Sequence, residues 1–115
     1  MPYKGGLVPC KVLPALMPTP VRFSDDSVEL RMDRNQLFYI CPIDGAKMEW
    51  VQAAYGEPPP GRRLVQAGFD DNGRPWYHAV ALINGVKVAG KVGPLGGAAV
   101  PLNGKEEIRE HYQVL

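Results

Sequence analysis

The sequence predicts an all-β domain, and three observations carry the expectation. Thirteen Gly and twelve Pro among 115 residues work against long helices, because both residues break helix interiors. Asn-Gly pairs at Asn72-Gly73, Asn84-Gly85 and Asn103-Gly104 punctuate short apolar runs, and this pair best tolerates the positive φ angles of a tight hairpin turn. Charged and apolar residues are well mixed throughout, which separates the chain from a disordered one. The length bounds it to one domain, 1–115, in which every layer of core counts.

Taken in order, the elements are short. Leu7 to Val12 reads as an apolar strand, followed by a stiff connection through Pro14, Pro18 and Pro20. Val21 to Phe23 and Val28 to Met32 flank the turn composition Ser24-Asp25-Asp26-Ser27, and Gln36 to Cys41 is a further strand that stops at Pro42. Ile43 to Ala46 reads as a turn and Lys47 to Ala53 as a strand bearing Trp50. Gly56 to Gly61 is an extended loop of polyproline character around Pro58, Pro59 and Pro60. Leu64 to Lys91 forms a three-stranded meander folded at two Asn-Gly turns, with Trp76 to Ile83 as its central strand. Gly93 to Gly97 follows as a loop, Ala98 to Leu102 as a strand, Asn103-Gly104 as a third hairpin turn and Tyr112 to Leu115 as a last strand. Lys105 to His111 has helix-forming composition over about two turns, and is compatible with a helical turn or a strand rim.

Charge and cysteine usage exclude several classes of function. With 13 basic against 12 acidic residues, a net charge of +1 and no basic run, the chain offers no electrostatic footprint for nucleic acid or an anionic membrane. Cys10 and Cys41 lack metal-type spacing and read as reduced, buried small hydrophobes. The amino-terminal segment carries Lys4, Lys11 and several prolines where a signal peptide needs an uninterrupted apolar stretch, and no segment approaches transmembrane length. A soluble, cytoplasmic protein is expected.

The meander gathers the chemistry. Asp70 leaves its first strand beside a turn, Lys91 closes its third, and Phe69, Trp76 and Tyr77 lie close to Asp70 in sequence. A carboxylate, an ammonium and aromatic faces suit a polyol or sugar, although the same residues also suit an Asp that braces its own turn and a solvated strand end. Trp76 and Tyr77 point to opposite faces of their strand, so at least one belongs to the core.

An internal repeat supports Lys91. At a shift of 80 residues Gly5 falls on Gly85, Val8 on Val88, Lys11 on Lys91, Val12 on Val92 and Pro14 on Pro94. The counterpart of Asp70 would lie ahead of Met1, so the chain reads as the tail of one repeat, 1–42, followed by a complete repeat, 47–115. Such repeats bury their apolar faces only against a neighbour, which makes a homodimer one way to complete the structure.

The segment from Trp50 to Leu115 resembles the DM-nine repeat family. Its elements read Trp50, Pro58-Pro59-Pro60, Ala67-Gly68-Phe69-Asp70, Trp76-Tyr77, Ala89-Gly90-Lys91, Gly104-Lys105-Glu106 and Tyr112-Gln113-Val114-Leu115, in the family's order. Gly5 to Lys11 looks like the matching strand end of the other repeat, while Phe23 to Cys41 lacks both the Gly-Lys-Glu turn and the Tyr-x-Val-Leu ending. The resemblance implies an antiparallel β-sandwich of two pseudo-symmetric repeats, the first here incomplete. It further implies mannose-type sugar binding without catalysis or cofactor, often in a dimer. The family's sugar-binding Asp falls on Asp70 and its Lys on Lys91; Lys11 and Glu106 are weaker candidates, and Phe69 or Trp76 would supply contact with the sugar's C–H face. Val80 stands where many members carry an Arg on the aromatic strand.

Other chemistries fit less well. Gly85 to Val92 satisfies most of a phosphate-loop pattern but ends on Val92 where magnesium binding needs Ser or Thr. Asp70-Asp71-Asn72-Gly73 lacks the alternating spacing and closing Glu of a calcium loop. His78 and His111 have no Ser or Cys motif nearby, so His78 reads as a packed histidine. Two functions of different class remain: a mannose-type lectin module, or a structural or protein-interaction domain that retains the fold without a working sugar site.

Overall fold

The computed structural model describes residues 1–13, 15, 21–25, 27–31, 45–55, 57–93 and 96–115. Among these, the chain is all-β. The strands are β1 Pro2–Tyr3, β2 Gly6–Leu7, β3 Lys11–Val12, β4 Val21–Asp25, β5 Val28–Arg31, β6 Val51–Ala54, β7 Gln66–Phe69, β8 Pro75–Ile83, β9 Val86–Gly93, β10 Gly96–Leu102, β11 Lys105–Arg109 and β12 His111–Val114. They join edge to edge in the order β1-β2-β7-β8-β9-β10-β11-β5-β4-β3, with β12 pairing both β6 and β8, so that one antiparallel sheet curls on itself.

Strand alternation gives the β8–β9–β10 region a core on each face. Ala79, Ala81 and Ile83 of β8 point one way, with Val88, Val92, Ala98, Val100, Tyr112 and Val114, and Tyr77 packs against this cluster. Trp76 points the other way, onto Met1, Val8, Val21 and Phe23, flanked by Tyr3, Cys10 and Leu30. The opposite-face expectation for Trp76 and Tyr77 holds.

The meander forms as the sequence predicts, β7–β8–β9, with all of Tyr77–Ile83 in register against Val86–Val92. Asn84 and Gly85 (φ 50° and 80°) and Asn103 and Gly104 (φ 51° and 80°) adopt the left-handed conformation expected of two-residue hairpin turns. Asn72-Gly73 does not: only Gly73 has positive φ, and five residues separate β7 from β8. The reason is Asp70. Its Oδ1 accepts the amides of Asn72 and Arg74, both at 2.9 Å, and its main chain closes the loop through Asp70 N to Arg74 O at 2.8 Å and Gly73 N to Asp70 O at 3.0 Å.

Other boundaries move. The strand expected over Leu7 to Val12 is split, with Val8–Cys10 outside any strand between β2 and β3, and β1 forms a hairpin with β2 through Lys4 and Gly5 (φ 47° and 77°). Lys47–Trp50 precedes rather than joins β6. Gly93, Gly96 and Gly97 belong to strands, not to a loop. Lys105–Arg109 is a strand because its edge pairs along the whole of Ala98–Leu102, which outweighs its helix-favouring composition. The expected strand Gln36–Cys41, the prolines at 14, 18 and 20, and Ile43-Asp44 lie outside the described residues.

The β5–β11 contact is locally two-fold. Val28 pairs with Lys105, Glu29 N donates to Gly104 O (3.1 Å), and Glu106 N donates to Ser27 O (2.9 Å). Each residue of one turn thus meets the counterpart of its own partner, with Ser27-Val28-Glu29 matching Gly104-Lys105-Glu106 and Ser27 adopting positive φ (69°) in the glycine's place. The first half therefore carries an equivalent of the Gly-Lys-Glu turn that its sequence lacks.

Candidate functional site

The end of β8–β9 that faces the second cluster carries a hollow of about 230 Å³ lined by Tyr3, Lys4, Val8, Asp25, Phe69, Asp70, Asp71, Trp76 and Lys91. Asp70, just after β7, and Lys91 on β9, on either side of β8, come together here with both aromatic candidates Phe69 and Trp76. Sequence order alone brings Asp70 beside Phe69; the meander brings Lys91 back.

Lys91 is not a solvated strand end. Only 6% of the residue is exposed, its Nζ donates to the Ser24 carbonyl at 2.5 Å, and it sits 4.6 Å from the centre of the Trp76 ring. A desolvated ammonium over an indole gains on the order of 2 kcal/mol from the ring's negative face, which offsets part of the cost of burying it. Trp76 is pinned from β9 as well, because a Cβ placed on Gly93 would meet its Cζ3 at 2.5 Å. The indole therefore positions the ammonium. Phe69, 40% exposed, is the aromatic face open to a ligand.

Asp70 braces its own loop. Beyond the two amides on Oδ1, its Oδ2 accepts the Arg74 Nε at 2.9 Å, and 17% of the side chain is exposed. What desolvation it suffers pushes its pKa up, but the amides of Arg74 and Asn72 and the Arg74 guanidinium outweigh this and hold the carboxyl below its usual value.

Five residues of the hollow were not nominated for the site by the sequence: Tyr3, Lys4, Val8, Asp25 and Asp71. Asp25 ends β4, and its Oδ2 accepts the Tyr3 hydroxyl at 3.1 Å and the Lys4 Nζ at 2.9 Å. The Tyr3 ring is held edge-on against Phe23 at 4.8 Å, which fixes its hydroxyl. Partial burial raises the Asp25 pKa, yet the hydrogen bonds from Lys4 and Tyr3 and the charges of Lys4 and Lys91 together bring it below the usual carboxylate value. A turn-like Ser-Asp-Asp-Ser composition gave no hint that Asp25 would meet a lysine 66 positions later.

Lys11 and Glu106 do not line this hollow. Lys11 donates to the Pro101 carbonyl and pairs with Glu29 Oε2 at 3.4 Å. Glu106 lies on β11 opposite Pro101. Ser24 and Pro101 hold equivalent places, each paired with the Glu of its own turn, so Lys91 to Ser24 and Lys11 to Pro101 are the same bond made twice. The recurrence of the lysine thus has a structural side: each ties one half of the sheet to the other.

A larger hollow of about 730 Å³ lies on the outer surface of β8, β9, β11 and β12, where Val80 is one wall beside Leu82, Lys87, Ile108 and His111. It holds an apolar shelf with scattered charges rather than converging polar groups. Val80 therefore does not touch the Asp70–Lys91 hollow. His78 is half-buried, and burial followed by the nearby Met1 ammonium pushes its imidazole pKa down. Cys10 is a free thiol whose pKa is raised by burial. No three His, Cys, Asp or Glu side chains among the described residues converge as a metal site, and no helix among them is long and apolar enough to cross a membrane.

A family model described as DM9 repeat matches residues 1–110. The match takes in the amino-terminal half as well as the segment from Trp50 onward. No curated protein matches the chain.

Proposed function

The chain belongs to the DM9 repeat family, and from that premise we propose that it is a non-catalytic carbohydrate-binding module for mannose-type sugars. The observation that supports this reading is the convergence of Lys91, the Asp25 and Asp70 carboxylates and Phe69, with Trp76 behind, on one small hollow. An ammonium donates to hydroxyl oxygens, a carboxylate accepts from hydroxyl hydrogens, and adjacent hydroxyls on a ring present both needs at once. An exposed aromatic face beside them covers the C–H side of the sugar. The hollow's volume is of the order of one monosaccharide ring, so recognition is of a terminal residue.

Affinity is modest by the same physics. Each hydrogen bond to the sugar replaces one to water and nets about 1 kcal/mol, so four or so bonds give a dissociation constant on the order of 1 mM for a monosaccharide. Multivalent glycans, or a homodimer presenting two hollows, would bind more tightly through avidity.

Isothermal titration of the wild type and Lys91→Met with methyl α-D-mannoside tests the reading. Saturable binding by the wild type and none by a folded Lys91→Met supports it. A wild type that binds no mannoside, nor any glycan on an array, leaves a structural or protein-interaction domain as the function.

A further inference from the structure

We propose that the hydroxyl-accepting group of this site is Asp25, so that the diol is clamped between the amino-terminal half of the chain, through β4, and the carboxy-terminal half, through Lys91. The inference rests on the lectin reading above and assigns the acceptor within it.

Asp70 is the residue whose sequence context suggests an acceptor, but three of its four lone pairs are taken up within its own loop. Oδ1 accepts two backbone amides, which fills its two lone pairs, and Oδ2 accepts the Arg74 guanidinium, an ion pair that also shapes the loop. Engaging a sugar through Asp70 leaves it only the second lone pair of Oδ2, beside the Arg74 guanidinium. Asp25 is differently placed. Tyr3 and Lys4 both bond to its Oδ2, its Oδ1 accepts no hydrogen bond among the described residues, and 28% of its side chain is exposed against 17% for Asp70. Tyr3 and Lys4 thus orient the carboxylate and leave one oxygen for a ligand in the hollow that the Lys91 ammonium also lines. The Lys91 charge reaches Asp25, since it contributes to keeping that carboxyl ionised.

The local two-fold adds a second consequence. In the other half, the position equivalent to Asp25 is Leu102, because Asp25 pairs with Val28 as Leu102 pairs with Lys105. Lys11 consequently has no counterpart of the Asp25 carboxylate and is paired with Glu29 instead. One sugar site per chain follows, even though the lysine occurs twice.

The test is isothermal titration with methyl α-D-mannoside of the wild type, Asp25→Asn, Asp70→Asn and Lys11→Met, each checked for an unchanged far-ultraviolet spectrum. The expected result is one site per chain in the wild type, binding weakened about tenfold or more in Asp25→Asn, a smaller loss in Asp70→Asn, and an affinity within about threefold of wild type in Lys11→Met. Wild-type affinity in Asp25→Asn, or loss of binding in a folded Asp70→Asn alone, returns the acceptor role to Asp70 and overturns the inference while the lectin reading stands. No binding by the wild type overturns both. The wild type supplies an arm that needs no variant: on adding mannoside, the carboxyl carbon resonance of Asp25 is expected to move more than that of Asp70, and the reverse order contradicts the assignment.

Discussion

Lys91 shows how one buried charge is made tolerable. Its ammonium has a carbonyl, an indole face and a nearby carboxylate, and replacing such a charge by an apolar residue of similar length is often close to neutral for stability. Lys91→Met is therefore expected to keep its stability within about 1 kcal/mol of wild type while losing sugar binding, a separation read by urea denaturation beside titration. Ser24, whose carbonyl takes that ammonium, also has a buried Oγ with no hydrogen-bond partner among the described residues. Ser24→Ala removes an unsatisfied hydroxyl and is expected to be neutral or to stabilise by up to about 1 kcal/mol, seen as an unchanged or raised melting temperature. The two site carboxylates and His78 set the pH response. Both Asp25 and Asp70 have pKa values below the usual 3.8, so the folded state favours their charged forms. The stability they add is complete above 3.8 and is lost as pH falls through their folded values. The urea midpoint should decline as pH falls below about 6.5, where the half-buried His78 imidazole resists the proton that the unfolded chain takes up, and decline further as the two carboxylates are protonated, which also abolishes sugar binding.

At the scale of elements, the site depends on the β1–β2 hairpin lying against β7. Leu7 pairs with Phe69, and the approach is so close that a Cβ on Gly68 would stand 1.8 Å from the Leu7 carbonyl oxygen. Gly68→Ala must push β2 away, carrying Tyr3 and Lys4 with it. A loss of about 1–3 kcal/mol in stability together with weakened mannoside binding is expected, and an unchanged affinity would show that the hairpin does not shape the site. The same elements mark what the sequence made legible. Asn84-Gly85 and Asn103-Gly104 announced their turns because both residues of each take the conformation that only such pairs favour. Asn72-Gly73 misled because a carboxylate two residues earlier captured the loop's amides, and the alternative reading of Asp70 as a turn brace describes its bonds. Lys4-Gly5 made a turn with no Asn to announce it, and Lys105–Arg109 hid a strand behind helix-forming residues whose partner strand decided the matter.

Across the molecule, the internal similarity was visible at Lys11 and Lys91 and then lost. The offset is 80 between those lysines but 77 between Ser24 and Pro101, so an ungapped overlay slides out of register before β4. Only Glu29 and Glu106 keep their identity in the matching turns, and the pairing of Val28 with Lys105 reveals the relation that side chains conceal. Asp70, Lys91, Phe69 and Trp76 could be nominated because they share one meander; Asp25, Tyr3 and Lys4 could not, because the closure of the sheet brings them there. The proposal that groups from both halves of the chain form one sugar-binding hollow is tested by the backbone and indole resonances of the ¹⁵N-labelled protein titrated with methyl α-D-mannoside. Shifts are expected at the Trp76 indole and at the amides of Tyr3, Lys4, Asp25 and residues 70–74, with Lys87, Ile108 and His111 of the larger hollow unmoved. Shifts confined to that larger hollow, or to the meander without Tyr3, Lys4 and Asp25, would contradict it.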